Sequence, residues 1–184
     1  MKSNTLKWTR LQNRIFNYLC LKAGISVNQN EIAKALKVSP TAVSKALKRL
    51  NKETIIIYKK YPNINLTSVE LNRDNQRAIL LKRVQNLKNT YESGLINTLS
   101  NKYPGTLIIL FGSYSYGTDT HNSDIDIAII GSKEKSVSLE QFEKFLEKKI
   151  VLQFYNSLNN IHKNLRSNII NGIVLKGVIE LWIK

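Results

Sequence analysis

Two short clusters in the second half of this 184-residue chain have the residue types and spacing to do chemistry. Residues 106–130 read TLIILFGSYSYGTDTHNSDIDIAII, with Gly112-Ser113 closing one apolar run and Asp124-Ile125-Asp126 opening the next. Side chains alternate along a strand, so Ile125, Ile127 and Ile129 share one face. Asp124 and Asp126 share the other, about 6.6 Å apart at roughly 3.3 Å per residue. Two carboxylates on one face can hold a divalent cation between them. Gly112 lets the backbone turn sharply and come close to a ligand. Ser113, at the start of an expected short helix, presents a hydroxyl and free backbone N–H groups to an anion. Strand, Gly-Ser turn, short helix with Gly117, polar loop and carboxylate strand together suit a metal-bound triphosphate. The ion would offset charge on the transferred phosphorus while the Gly-Ser loop holds the leaving pyrophosphate.

This compound pattern resembles the minimal nucleotidyltransferases of the DNA polymerase beta superfamily, whose mark is Gly-Ser, a spacer of about ten residues, then Asp-x-Asp. The resemblance covers residues 90–177 and is carried by Gly112, Ser113, Asp124 and Asp126, with Ser123 as the small residue before the first aspartate. It implies transfer of a nucleoside monophosphate from a nucleoside triphosphate to an acceptor hydroxyl, with two magnesium ions. Asp124 and Asp126 would then be catalytic metal ligands, and Gly112, Ser113 and Ser123 would bind the nucleotide. The chain also departs from the family, which supplies a third carboxylate from a later strand, after a basic pair and one apolar residue. Here that stretch is Lys148-Lys149-Ile150-Val151, so valine stands where the acid belongs. Glu147 would substitute only if the strand began earlier, and it reads as part of a helix carrying Phe142, Phe145 and Leu146. Valine binds neither proton nor metal, so nucleotide binding can survive while the chemical step is crippled.

Other groups nearby carry less. His121 in the loop reads as solvated, and His162 sits on an expected amphipathic helix with no obvious partner. Tyr114 and Tyr116, which flank the turn, read as packing residues, and the apolar segment from Ile173 with Trp182 near its end reads as a closing strand or an interface.

Residues 1–90 hold 18 Lys/Arg against 4 Asp/Glu and residues 91–184 hold 10 against 9, so nearly all of the net +15 sits in the first half. A polyanion contacted by that half is the direct reading, since each neutralised phosphate releases a condensed counterion. Its pattern suits such a partner. Leu11, Ile15, Tyr18 and Leu19 mark a first helix; Asn28 with Glu31 suggests a capping box for a second. Ser39 and Pro40 start a third whose buried stripe is Val43, Leu47 and Leu50. Thr41, Ser44, Lys45 and Lys48 fall on its opposite face. A hairpin follows, turning at Tyr61-Pro62-Asn63, with Lys59 and Lys60 near the tip. Residues 7–72 thus resemble the winged helix-turn-helix domains of prokaryotic transcription regulators, and those six side chains are the expected contacts to double-stranded DNA.

The expectation is an α/β chain (α+β overall) of two domains. Residues 1–72 form a winged helix, 73–90 a connecting helix, and 91–184 a mixed-sheet nucleotidyltransferase-like domain. The leading function is metal-dependent nucleotidyl transfer coupled to DNA binding. The alternative is a non-catalytic regulator, or an antitoxin that modifies or masks a partner toxin, with the second domain as nucleotide sensor or partner surface. Winged-helix regulators bind as two-fold dimers, so a homodimer is expected, with the first helix and the Trp182 tail as contacts. No apolar run reaches the roughly 18 residues of a membrane span. The basic N-terminus lacks a signal core, which suggests the cytoplasm. One cysteine, Cys20, and two histidines exclude a disulfide framework or a Cys/His zinc cluster within one chain.

Overall fold

The computed structural model describes residues 8–61 and 66–179. The chain divides into two compact units, Met1–Lys82 and Arg83–Lys184.

In the first unit, α1 (Arg10–Leu21) begins at a capping box: Gln12 N–H donates to Thr9 Oγ1, and Thr9 N–H donates back to Gln12 Oε1. A short strand β1 (Val27–Asn28) leads into α2 (Gln29–Leu36), capped by Asn28, whose Oδ1 accepts from Glu31 N–H at 2.8 Å. The expected capping box there is only half made, because the Glu31 carboxylate accepts instead from the Tyr18 hydroxyl at 3.3 Å. Lys37 adopts the left-handed conformation that turns the chain between helices. Ser39 then caps α3 (Pro40–Lys52), with Pro40 in its first turn. The hairpin strands β2 (Ile56–Tyr61) and β3 (Leu66–Leu71) pair antiparallel, and β1 joins the outer edge of β3. Pro62 and Asn63 of the expected turn lie outside the described residues, as does Trp182. Ile15, Phe16 and Leu19 of α1 pack with Ile32, Val43, Leu47, Leu50, Ile55 and Val69 in one core. Burial of each such side chain stabilises by about 1.5–3 kcal/mol. The apolar face of α1 is therefore consumed by this core, which corrects the expectation that it serves as a dimer contact.

The next helix, α4 (Gln76–Glu92), contains the division between units. The division falls after Lys82, within the 73–90 span expected as a connecting helix: Ala78 and Leu81 pack in the first core, Leu87 in the second. Its apolar residues do not decide its burial, since Val84 is 66% exposed while Asn86, Asn89 and Thr90 are buried.

The second unit continues with α5 (Leu95–Lys102), β4 (Leu107–Phe111), α6 (Gly112–Tyr116), β5 (Ile125–Ile130), α7 (Glu140–Leu146), β6 (Ile150–Tyr155), a short 3₁₀ turn, α8 (Lys163–Ile170) and β7 (Ile173–Lys176). The sheet runs β6-β5-β4-β7, with β5 and β6 parallel and the other pairs antiparallel. Alternation along each strand feeds two cores. Ile108, Leu110, Ile125, Ile127, Ile129 and Ile150 pack beneath α5, α6 and α7, while Ile109, Phe111, Ala128 and Ile130 pack against α8. This two-sided burial explains why β4 and β5 read as near-continuous apolar runs.

Candidate functional site

Register builds the site. On β5, Asp126 shares its face with Ala128 and Ile130, opposite the Ile125, Ile127 and Ile129 set, and Asp124 precedes the strand by one residue. Asp126 is flanked by Phe111 on β4 and by Val151 on β6. Directly after Phe111 the chain turns at Gly112, whose φ of +71° is a conformation that residues with a Cβ rarely adopt. A Cβ at this position would stand 2.5 Å from Asp126 Oδ2, so only glycine lets the turn lie against that carboxylate. Ser113 follows in the first turn of α6, which has no side-chain cap, leaving its leading N–H groups available to an anion. The Ser113 carbonyl accepts from Thr118 N–H at 3.1 Å, and Ser115 Oγ donates to the Gly112 carbonyl at 2.8 Å, which fasten the turn.

Asp124 is exposed and Asp126 half-buried. Burial, and then the charge of Asp124, push the Asp126 carboxyl above its ordinary value. A divalent cation would relieve that repulsion, and two carboxylates are the hard oxygen donors magnesium takes. Among the described residues no group of three or more acidic, histidine or cysteine side chains could hold a metal. Val151 lies beside Asp126, and on the same sheet face, since Ile150, Leu152 and Phe154 point into the opposite core. Helix α7 ends at Leu146, and Glu147 is its exposed C-cap rather than a helix residue, with β6 starting at Ile150. Ser123, expected to bind nucleotide, has its hydroxyl turned inward: Oγ accepts from Thr120 N–H at 3.0 Å, closing the loop before Asp124.

Three buried residues escaped the sequence reading: Asp119 within that loop, and Asn86 and Lys148, which contact it from other elements. Nothing in sequence singles them out: Asn86 follows Gln85, Asp119 lies between two threonines, and Lys148 lies between Glu147 and Lys149. Tyr114 is buried in the core while Tyr116 is partly exposed, and His162 is the exposed residue just before α8.

In the first unit, Thr41, Lys45 and Lys48 of α3 are exposed and Ser44 is half-exposed. The row continues along the helix to Lys52, with Arg49 beside it holding Glu53 at 3.1 Å. Lys59 and Lys60, paired with Ser68 and Thr67, are exposed near the end of the hairpin.

Residues 92–175 match the family described as Nucleotidyltransferase domain. Residues 18–64 match the family described as Iron dependent repressor, N-terminal DNA binding domain. The chain thus carries an N-terminal winged-helix DNA-binding domain and a C-terminal nucleotidyltransferase domain. A relative from Methanocaldococcus jannaschii, provisionally named a protein adenylyltransferase, is 44% identical over 55 residues, 29% of this chain and 55% of its own length. The match therefore spans about half of that relative. Among solved structures, the adhesin competence repressor of Streptococcus pyogenes has a TM-score of 0.41 and 26% identity, over 53% of this chain and 69% of its own. A zinc-responsive MarR family member of Lactococcus lactis gives 0.41 and 26%, over 56% and 68%.

Proposed function

We propose that this protein binds double-stranded DNA through its winged helix, and that its second domain binds a magnesium-bound nucleoside triphosphate and transfers the nucleoside monophosphate to an acceptor hydroxyl. The observation that carries the second part is the close approach of Gly112 to Asp126, which sets a turn suited to phosphate against a carboxylate pair suited to a cation. Asp124 and Asp126 hold the ion; Gly112 and the first amides of α6 receive the triphosphate; Ser113 Oγ donates to a phosphate oxygen. The ion, when bound, neutralises charge on the triphosphate. The acceptor oxygen bonds to the α-phosphorus, the α–β bridge breaks and pyrophosphate leaves, while the hydroxyl proton passes to solvent. No carboxylate stands at Val151 to take that proton or orient the hydroxyl, so binding is sound and transfer slow. The relative's name supports ATP as donor and a protein hydroxyl as acceptor. Ser123 acts by shaping the loop.

Val151 also favours a second reading, in which the domain senses nucleotide, or presents a surface to a partner such as a toxin, and does not turn over. Thr41, Ser44, Lys45, Lys48, Lys59 and Lys60 contact DNA in either case, the chain acts as a homodimer, and DNA as partner supports a cytoplasmic place. Sedimentation as a monomer at tens of micromolar, on the order of assay concentrations, overturns the dimer. The deciding experiment incubates the chain with magnesium and ATP labelled at the α-phosphate. Tight binding, with slow labelling of protein that vanishes in Asp126→Ala, supports transfer; binding without labelling supports the sensor, and no binding rejects both.

A further inference from the structure

Asp124 stands at the end of an irregular loop, residues 117–123, rich in Thr, His, Asn and Ser. Such a loop is ordinarily among the more mobile parts of a domain. This one is held from inside. Lys148, on the connection from α7 to β6, donates through Nζ to the Thr120 carbonyl and, at 3.4 Å, to the Ser123 carbonyl. The same ammonium lies 3.3 Å from Asp119 Oδ2, and the two side chains are 1% and 0% exposed. Asn86 Nδ2 donates to Asp119 Oδ1 at 2.7 Å and to the Tyr114 carbonyl at 2.9 Å, tying the loop to α4 and α6. One buried cation therefore gathers three points of the loop that ends at Asp124. Lys148 is itself anchored, because the next residue, Lys149, accepts through its carbonyl from Ile125 N–H at 2.8 Å, between the two site aspartates.

Burying an ammonium and a carboxylate is expensive, and an apolar pair of similar volume would hold a core at least as well. The contacts here go to loop carbonyls, which set the path of the backbone rather than fill a core. We infer that Lys148, charge-balanced by Asp119, is a positioning residue that fixes the 117–123 loop and thereby presents Asp124 beside Asp126. This rests on the reading that those two aspartates hold the metal-bound nucleotide. The arrangement is the counterpart of the outer partners that orient ligands at metal sites, whose loss costs about 10–100-fold in affinity.

The test is the double variant Asp119→Asn/Lys148→Met, which keeps shape, leaves no lone buried charge and keeps an acceptor for Asn86. Three quantities are read: thermal unfolding, hydrogen exchange of the amides of residues 120–124 without nucleotide, and ATP binding as magnesium is titrated. The expected result is a folded protein with a similar unfolding midpoint, faster exchange confined to the loop, and magnesium-dependent affinity lower by about 10–100-fold. A folded variant with unchanged exchange overturns the inference, as does a loosened loop with unchanged affinity. Should the double variant not fold, Lys148→Arg, which retains the buried charge but cannot reproduce the same carbonyl contacts, is read in the same way. Failure of the unmodified chain to bind ATP would reject the functional reading and the positioning role together, whereas normal binding by both proteins rejects the positioning role alone.

Discussion

Replacing Gly112 by alanine tests the contact on which the nucleotide site depends, and the structure supplies its own control. Gly105 has φ +73°, close to the +71° of Gly112, but a Cβ there meets nothing within 4 Å. Both substitutions bear the same backbone cost, about 1–2 kcal/mol for a Cβ in the left-handed region. In a unit of roughly 100 residues that lowers the unfolding midpoint by about 4–16 °C. Only Gly112→Ala adds a collision, because the new Cβ stands 2.5 Å from Asp126 Oδ2 and ordinary contact begins at 3.4 Å. The carboxylate must withdraw by nearly 1 Å or the turn must shift by as much, and loss of a ligand's orientation at a metal site costs about 10–100-fold in affinity. Calorimetry of both variants with ATP and magnesium, alongside thermal unfolding, separates the two contributions. Gly105→Ala should lose stability and keep nucleotide affinity; Gly112→Ala should lose more stability and most of the affinity. Equal losses of stability with nucleotide affinity intact in both would refute the reasoning.

Lys45→Ala and Lys48→Ala should each weaken DNA binding about equally on all sequences and reduce the slope of log affinity against log salt by about one, read by fluorescence anisotropy over a salt series. Val151→Asp should raise transfer from α-labelled ATP and enlarge the stabilisation that magnesium gives, because a third carboxylate beside Asp126 adds repulsion that the ion relieves; no change in magnesium response would place the side chain elsewhere. At Glu53, burial works to raise the pKa but is outweighed by hydrogen bonds from Trp8 and Arg49 and the charges of Arg49 and Arg77, which hold it below its ordinary value. A depressed carboxyl contributes stability that is present above its unfolded pKa, about 4.3, and is lost as pH falls through the folded value. Acid titration of unfolding should therefore show the first unit of Glu53→Gln less stable than the unmodified chain at neutral pH and less sensitive to pH below about 4.

Much of this molecule was legible because its signals are local. Ser39-Pro40 marks the start of α3 whatever packs on it, and the strands of the site are apolar runs bounded by glycine and polar residues. The pairing of Val151 with Asp126 agrees with the position at which the third carboxylate was expected. Helix α5 was not anticipated, since its N-cap is Gly94 in the left-handed conformation with no side-chain cap to announce it. In α4 the apolar Leu80 and Val84 are exposed, whereas Asn86 and Thr90 are buried because hydrogen bonds to Tyr114, Asp119 and the helix backbone satisfy them. Periodicity records hydrophobicity and cannot record partners brought in from distant sequence, and the Lys148–Asp119 pair was hidden for the same reason.

Val151 beside Asp126 has a consequence in the genetic code. Every valine codon becomes an aspartate or glutamate codon by one change at its second base, so an acid at this place in β6 is a single mutational step away. Mutational distance does not keep it out. If the neighbouring site binds nucleotide, faster transfer is within reach of any large population of cells carrying this chain.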